Sequence, residues 1–297
     1  MPDTDPLLTL RDRLFSGKSA PYIMGILNVT PDSFYAGSRR ETPESTAETA
    51  VRMEKEGAHI LDIGGESTRP GSDFVSLREE LDRVIPAVEA VRRRSGIPLS
   101  VDTRKARVAE AALDSGADMV NDVSALRDDP DLALLCAERK VPVVLMHMRE
   151  TPKTMQVDPH YRDVVSEIMR ELEERIEAAL GAGIREEHII IDPGIGFGKR
   201  NEDNLIILKN LSRFREMGFP LLVGLSRKSF LGKVAAGGEE EPLPAEERLI
   251  PTVAANLWAV LEGADIVRVH DVGETARALG VIGAIREAGE GAEGAKR

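Results

Sequence analysis

The stretch "DIVRVHDV", residues 265–272, decides the fold class of this 297-residue chain. Its β-branched residues predict a buried strand, and alternate side chains of a strand share one face. Arg268 and His270 therefore point to one side of the strand, and Val267 and Val269 point to the other. A buried guanidinium is destabilising unless a counter-charge pairs with it. We therefore expect a negatively charged group close to Arg268.

Similar short apolar runs recur along the whole chain, and helical patterns lie between them. Residues 42–57 form such a pattern, with Pro43 in the first turn and Gly57 as the stop. A Gly-Ala step ends three helical segments directly before a strand (57–58, 116–117 and 263–264), which predicts a helix C-cap followed by a tight turn. The other runs are "YIMGILNV" (22–29), "HILDIGG" (59–65), "IPLSVDT" (97–103), "MVNDVS" (119–124), "VPVVLMHM" (141–148), "HIIIDPGIG" (188–196) and "PLLVGLS" (220–226).

Eight alternating strand and helix units predict a parallel sheet in an α/β protein. We expect a single closed (β/α)8 TIM barrel over residues 21–288. Residues 1–20 are expected to form an N-terminal extension, and residues 289–297 a flexible C-terminal tail. An open, doubly wound sheet fits the same alternation and stays the alternative.

The composition excludes several classes of protein. Hydrophobic residues make up 42% and charged residues 30% of the chain, as in ordinary soluble domains. The net charge of −12 argues against a nucleic-acid surface held by general electrostatics. The sequence contains neither a membrane-spanning apolar run nor a signal peptide, so we expect a cytoplasmic protein. Cys136, the single cysteine, excludes an intrachain disulfide and is expected to be a buried apolar residue.

Nearly every predicted strand ends in a polar residue. The C-terminal ends of barrel strands form the active-site face, so these residues would lie in one ring. Such a ring is hard to explain by packing, although Asp62 or His147 alone could simply satisfy neighbouring backbone groups. The ring comprises Asn28, Asp62, Asp102, Asn121, His147, Asp192, Ser226, Lys228, Arg268 and His270.

One subset of the ring is acidic or amide and comprises Asp102, Asn121 and Asp192. Carboxylates and an amide offer acceptors and donors in fixed directions, as the recognition of a heterocycle with N–H, NH2 and C=O groups requires. The alternative is that Asp102 and Asp192 cap the helices that follow them.

A second subset is cationic. Arg69 lies in the Gly-rich loop "GGESTRPGS", Lys228 follows the seventh predicted strand, and Arg268 and His270 lie in the eighth. One guanidinium group can donate two parallel hydrogen bonds to the oxygens of a phosphate. TIM barrels commonly bind phosphate after strands seven and eight. We therefore expect an anionic ligand, and we expect its phosphate to be the counter-charge of Arg268.

Other sequence motifs argue against a P-loop and against a zinc site. "GIGFGK", residues 194–199, lacks the spacing of a P-loop and is better explained as a flexible glycine loop that lets the backbone approach a flat ligand. The sequence has no His/Cys pattern typical of zinc sites. Any metal is expected to be Mg2+, held by a carbonyl or carboxylate together with substrate phosphate oxygens.

The chain resembles the bacterial dihydropteroate synthases over roughly residues 20 to 285. The blocks that carry the resemblance are "MGILNVTPDSF", "DIGGESTRPG", "SVDTRKA", "NDVSALRDDP", "MHMRETPKTMQ", "IDPGIGFGK", "LSRKSFLG" and "RVHDV", in the order of that family. The resemblance implies a (β/α)8 barrel that joins 6-hydroxymethyl-7,8-dihydropterin diphosphate to p-aminobenzoate. It also implies a homodimer formed through late helices and inhibition by sulfonamides, which imitate p-aminobenzoate.

The same resemblance implies roles for individual residues. The pterin would be held by Asp102, Asn121, Met146, Asp192 and Lys228. The diphosphate would be bound by Asn28, Arg69, Arg268 and His270, with Asn28 also binding Mg2+. The p-aminobenzoate site would be lined by Phe34, Thr68, Pro70, Phe197, Lys228 and Ser229. Catalytic roles would fall to Asn28, Arg69, Asp102, Asp192, Lys228, Arg268 and His270, which would favour SN1-like loss of diphosphate before the arylamine attacks.

Two other functions stay open at this point. A methyltransferase of the wider pterin-binding family would use methyltetrahydrofolate and a corrinoid partner, but it has no use for Arg69 and Arg268 as diphosphate ligands. A non-catalytic or less active pterin-binding paralogue is the second. Residues 35–37 read "YAG" where the resembled family often has "SDG", and this loss of an acid keeps the paralogue open.

Overall fold

The strands and helices alternate as the sequence predicts. The computed structural model describes residues 21–30, 42–67, 71–151, 153–237 and 241–288, so the expected extension (1–20) and tail (289–297) lie outside the described residues. The strands are β1 (Tyr22–Asn28), β2 (Ile60–Gly64), β3 (Leu99–Asp102), β4 (Met119–Asp122), β5 (Val143–Met146), β6 (Ile189–Asp192), β7 (Leu222–Gly224) and β8 (Ile266–Val269). The helices are α1 (Pro43–Glu56), α2 (Leu77–Arg92), α3 (Ala106–Asp114), α4 (Pro130–Arg139), α5 (Val164–Gly181), α6 (Asn201–Lys209), α7 (Leu211–Arg215), α8 (Ser229–Ala235), α9 (Leu249–Leu261) and α10 (Val272–Glu287).

The strands form one parallel sheet that closes on itself. Their order is β6-β5-β4-β3-β2-β1-β8-β7. The two ends of this row meet through a parallel bridge between Ile191 and Leu221, where the Ile191 N–H also donates to the Pro220 carbonyl at 3.0 Å. The closed (β/α)8 barrel is therefore confirmed, and the open, doubly wound sheet is wrong. None of the helices in the described part of the chain has the length and apolar content needed to cross a bilayer.

Strand alternation divides the apolar side chains into two cores. Val267 and Val269 of β8 belong to the outer core, between the sheet and the helices. Ile266 points inward, as the alternation of this strand predicts, and Arg268 lies on the same face. The inner cluster comprises Tyr22, Met24, Ile60, Met119, Val144, Ile190, Leu222 and Ile266. These apolar residues fill the lower barrel, so the charged side chains of the interior lie above them, toward the C-terminal end.

The helix ends set the spacing between helix and strand. Thr42 caps α1 by accepting a hydrogen bond from the Ser45 N–H at 3.2 Å. Gly57, Gly116 and Gly263 have φ angles of 108°, 110° and 104°, in the region that favours glycine. The alanine after each glycine donates to a helical carbonyl at 2.8–2.9 Å, which turns the chain straight into the next strand. The three predicted Gly-Ala turns are confirmed. Cys136 is fully buried, as expected.

The left-handed turns can be tested with Gly263→Ala. The new Cβ would meet only Arg215 carbons at 3.4–4.0 Å, so strain in the backbone dominates its effect. We expect a loss of about 1–2 kcal/mol in the free energy of unfolding, measured with urea. Gly96→Ala is the control, because residue 96 has no positive φ and no neighbour within 4 Å of a Cβ. Equal stability of the two variants would contradict the role of this turn.

Candidate active site

The predicted polar residues meet at the C-terminal mouth of the barrel. The parallel register pairs Gly64 with Asp102 and Asp102 with Asn121 across β2, β3 and β4. Met146 pairs with Asp192 across β5 and β6. The strand ends therefore place these side chains at similar height around one pocket. Four predicted site residues, Phe34, Thr68, Arg69 and Pro70, lie outside the described residues.

A hydrogen-bonded cluster of three charges lies at the centre of this mouth. Arg268 donates from Nε to Asp62 Oδ2 at 2.6 Å and from Nη2 to Asp102 Oδ2 at 2.9 Å. Asn121 donates from Nδ2 to the same Asp62 oxygen at 2.9 Å. Asp62 is fully buried, and Asp102 and Asn121 are nearly so. The side chains of strands β2, β3, β4 and β8 thus form a single polar unit, which we call the Asp62 cluster.

The expected counter-charge of Arg268 is present, but the expectation that a ligand phosphate supplies it is wrong. Asp62 and Asp102 provide two carboxylates from the protein itself. Both acids face the barrel axis, where little water reaches them, so each needs a nearby cation. A guanidinium has five N–H groups, and these two bonds leave three of them for other acceptors. Arg268 can therefore pair with both acids and still donate to an anion.

Burial changes the acid–base properties of the site's carboxylates. The pKa of Asp102 is raised to about 7, mainly by burial, although Arg268 opposes the rise. Burial also raises the pKa of Asp192, whose Oδ1 accepts from the Gly194 N–H at 2.7 Å. Neither acid caps a helix, because α3 follows Lys105 and α6 follows Arg200. The capping alternative for these two residues is therefore wrong.

Lys228 links the glycine loop to the pocket. Its Nζ donates to the Ile195 carbonyl and lies 4.5 Å from the centroid of the Phe197 ring. Burial lowers its pKa to about 8, the Asp192 carboxylate opposes this, and Arg268 adds to it. The amine therefore lies against the Phe197 ring and is near enough to Asp192 and Arg268 for their charges to act on its pKa.

Methionine side chains form the apolar wall of the mouth. Met146 packs with Val123, Met148 and Met155, and the half-buried Phe197 packs against them. Thioether side chains are flexible and polarisable, and they make favourable contacts with aromatic rings. This wall is suited to pack against the face of a flat heterocycle.

The glycine loop, residues 194–199, packs closely against other parts of the protein. A Cβ at Gly194 would lie 1.8 Å from the His147 carbonyl oxygen, and one at Gly196 would lie 2.8 Å from Lys228 Cδ. The loop backbone therefore approaches His147 and Lys228 closely, and its approach to a flat ligand stays a prediction. Gly194 is required because its neighbour is backbone, whereas at Gly196 the neighbour is a flexible side chain and the positive φ of 85° is the main reason for a glycine.

His147 belongs to a separate network beneath the loop. Its Nε2 lies 2.9 Å from Glu171 Oε2, and its Nδ1 lies 2.9 Å from Lys199 Nζ. Burial and the neighbouring Lys199 lower the pKa of His147 to about 3. Lys199 also donates to the Phe197 carbonyl at 2.9 Å. Neither Lys199 nor Glu171 was predicted from the sequence, because a lysine in a glycine loop and a glutamate on a helix are usually exposed.

The remaining predicted residues surround the cluster. His270 Nδ1 lies 2.9 Å from Ser226 Oγ. The same oxygen accepts a hydrogen bond from the backbone N–H of His270 at 3.1 Å. This bond fixes the imidazole, whose Nε2 lies on the opposite side of the ring. Asn28 is half-buried at the end of β1, and Ser229 is exposed at the first residue of α8.

Known proteins are similar to this chain in sequence and in fold. The chain matches the family described as "Pterin binding enzyme" over residues 24–270. The dihydropteroate synthase of Synechocystis sp. is 45% identical over 94% of this chain and 95% of that protein. The Yersinia pestis dihydropteroate synthase, solved with a sulfonamide drug, is 43% identical with a TM-score of 0.85, over 91% of this chain and 95% of that one. The Xanthomonas albilineans enzyme in complex with 7,8-dihydropteroate is 46% identical with a TM-score of 0.80, over 90% and 94%. The chain belongs to the pterin binding enzymes and, among them, to the dihydropteroate synthases.

Proposed function

We propose that this protein condenses 6-hydroxymethyl-7,8-dihydropterin diphosphate with p-aminobenzoate at the C-terminal mouth of its barrel, giving 7,8-dihydropteroate and diphosphate. The proposal rests above all on one observation, the pairing of Arg268 with two buried acids at the C-terminal end of the barrel. This arrangement supports the proposal, because the acids could accept from a heterocycle while the neighbouring cation binds its diphosphate. The relative solved with 7,8-dihydropteroate supports the choice of product.

The pterin-binding part of the pocket combines fixed polar groups with an apolar face. Asp102 and Asp192 offer carboxylate oxygens to ring N–H and NH2 groups, and the Asn121 amide adds an acceptor. Lys228 is close enough to Asp192 for the two charges to interact, and it supplies a donor to a ring carbonyl or nitrogen. Met146 packs on the ring from the methionine wall.

The departing diphosphate would be stabilised by positive charge. Arg268 retains three N–H groups for phosphate oxygens, and His270 lies two residues further along the chain. The bond between the pterin methylene and the diphosphate oxygen breaks, and its electron pair leaves with the diphosphate. Buried carboxylates at positions 102 and 192 favour the positive methylene that remains. The amine of p-aminobenzoate then forms the C–N bond and releases a proton.

The residues at the end of β1 fit a magnesium ion. The described residues contain no group of three or more His, Cys, Asp or Glu side chains that could hold a metal. Mg2+ is commonly bound through one or two protein oxygens together with phosphate oxygens and water, and the Asn28 amide supplies one such oxygen. When bound, the ion would neutralise charge on the diphosphate.

The p-aminobenzoate site would adjoin the glycine loop. Phe197 and Lys228 form an aromatic and cationic pair there, and Ser229 begins α8 beside them. A ring and a carboxylate are the two groups that p-aminobenzoate presents. A sulfonamide that imitates it would compete for the same residues, in line with the drug complex of the Yersinia pestis relative.

We further propose a homodimer formed through the last two helices. α9 and α10 expose apolar side chains, among them Ile250 (80% exposed), Trp258, Val281 and Ile285. Contiguous exposed apolar surface on a soluble protein commonly marks an interface. These side chains belong to the outer layer of helices, whereas the Asp62 cluster lies inside the barrel.

Arg268→Ala should lower kcat/KM for dihydropteroate formation by about 30- to 1000-fold, or about 2–4 kcal/mol, because a charge-assisted phosphate contact is lost. The variant also leaves two buried acids without their cation, so Arg268→Lys serves as a second variant that keeps the charge. Arg215→Ala is the control, because it removes an Arg–Asp265 pair at the opposite end of the barrel. A change below threefold in both Arg268 variants would contradict the assignment.

Binding of a pterin analogue should strengthen as the pH rises. Asp102 has a pKa of about 7, and its ionised form accepts hydrogen bonds from ring N–H groups much more strongly than its protonated form does. For an analogue that does not titrate in this range, we expect about a tenfold loss of affinity between pH 8 and pH 6. Calorimetric titration measures this slope, and Asp102→Asn should both weaken binding and remove the slope. Equal wild-type affinity at the two pH values would disprove the role of this carboxylate.

Titration with diphosphate and Mg2+ distinguishes a dihydropteroate synthase from a corrinoid-dependent methyltransferase. We expect the wild-type chain to bind diphosphate, because Arg268 keeps free donors at the mouth. A corrinoid-dependent methyltransferase needs no such binding, so its absence would favour that alternative. Diphosphate binding without any turnover to dihydropteroate would instead indicate the non-catalytic paralogue.

Ile250→Glu tests the homodimer. A charge buried in an apolar interface is strongly destabilising, so sedimentation should show a shift from dimer to monomer. Leu134→Glu is the matched control, because this residue is also exposed but lies on α4. A wild-type chain that sediments as a monomer would rule out the dimer.

A further inference from the structure

We propose that Asp62 is a positioning residue of the site, whose single oxygen Oδ2 holds Arg268 and Asn121 in their working orientations. This inference rests on the proposed function, because it assigns roles to two residues of that site. Asp62 itself is fully buried below the mouth, so it would act through its partners rather than by contact with a substrate.

Asp62 lies deeper in the barrel than the other acids. The register pairs it with Ile26 on β1 and with Ser100 on β3. Gly64, two residues further along β2, is the residue that pairs with Asp102. Asp62 is therefore one inward-facing layer below Asp102.

The hydrogen bonds of Asp62 go to side chains of the site. Its Oδ2 accepts from Arg268 Nε at 2.6 Å and from Asn121 Nδ2 at 2.9 Å. Its Oδ1 has no hydrogen-bond partner among the described residues. The interpretation that this acid only satisfies backbone groups is wrong, so its burial serves the two side chains that it binds.

The bond to Asn121 decides which way the amide faces. An ionised carboxylate can only accept hydrogen bonds, so the amide must direct Nδ2 at Asp62. The carbonyl oxygen of Asn121 then lies on the opposite side of the amide, as an acceptor. Without Asp62 the amide could turn over and present a donor instead.

The bond to Arg268 fixes the guanidinium at a second point. Asp62 binds Nε and Asp102 binds Nη2, so two bonds define the plane of the group. The three remaining N–H groups then have set directions. With Asp102 as the only partner, the guanidinium could rotate about that one contact.

Asp62 also acts on the charge state of Asp102. The negative charge at position 62 raises the pKa of Asp102, as do Glu80 on α2 and Asp122 on β4, while Arg268 lowers it. Asp192 and Lys228 interact electrostatically with the same Arg268. Removal of the Asp62 charge therefore shifts the pKa of Asp102 downward.

Two substitutions separate the position of Asp62 from its charge. Asp62→Asn removes the charge and the obligatory acceptor, whereas Asp62→Glu keeps the charge but displaces the carboxylate by one methylene. We expect both variants to lower kcat on the order of 100-fold, because catalytic groups are misplaced. KM for p-aminobenzoate should stay unchanged, since neither partner of Asp62 belongs to that site.

The pH dependence of pterin-analogue binding gives a second measurement, which would not change if Asp62 only stabilised the fold. The midpoint of pterin-analogue binding should shift to lower pH in Asp62→Asn and stay near that of the wild type in Asp62→Glu. Asp118→Asn is the control, because it breaks an Asp–Arg92 pair of 2.6 Å at the opposite end of the strands. That control should lose stability without any change of midpoint or of kcat.

The outcomes separate the inference from the proposed function. If the wild type forms no dihydropteroate, the proposed function is refuted. The pH midpoint of pterin-analogue binding can still be compared between the wild type and the Asp62 variants. Suppose that the wild type is active, that both Asp62 variants keep a kcat within threefold of the wild-type value, and that the binding midpoint of Asp62→Asn does not shift. That result would overturn the inference. Failure of both variants to fold would assign Asp62 to stability and overturn it as well.

Discussion

The site depends on one charge arrangement, a guanidinium that two buried carboxylates share. Asp62 and Asp102 lie on neighbouring strands and face the barrel axis, where neither is well hydrated. Two such acids repel each other, and each is destabilised unless a cation is close. Arg268 reaches both from β8, because its planar group can donate in more than one direction. The other polar residues of the mouth are arranged around this unit.

The fold could be predicted from the sequence because its signals are local. The β-branched runs, the helical patterns and the Gly-Ala turns each depend on a few neighbouring residues. Even the split of β8 into two faces follows from alternation alone, and Val267, Val269 and Ile266 lie where it places them. Strand ends were less predictable. β7 covers only Leu222–Gly224, since hydrogen bonding to neighbours decides where a strand stops.

The site could be predicted in its composition but not in its contacts. The sequence indicated that Arg268 needs a counter-charge, yet its partner Asp62 is 206 residues away along the chain. Nothing local distinguishes that acid from one that binds backbone groups. The network of His147, Glu171 and Lys199 was missed for the same reason. Pairing between side chains of distant strands and helices exists only once the barrel has closed.

The glycine loop limits how this pocket can diverge during evolution. Residue 194 has a φ of 66°, and any side chain there would collide with the carbonyl of His147. That histidine is itself held by Glu171 and Lys199, so it cannot retreat. Phe197, on the same loop, is only half-buried and contacts side chains. A lineage under selection to evade an inhibitor can therefore replace Phe197, whereas the backbone of the loop has no tolerated alternative to glycine at residue 194.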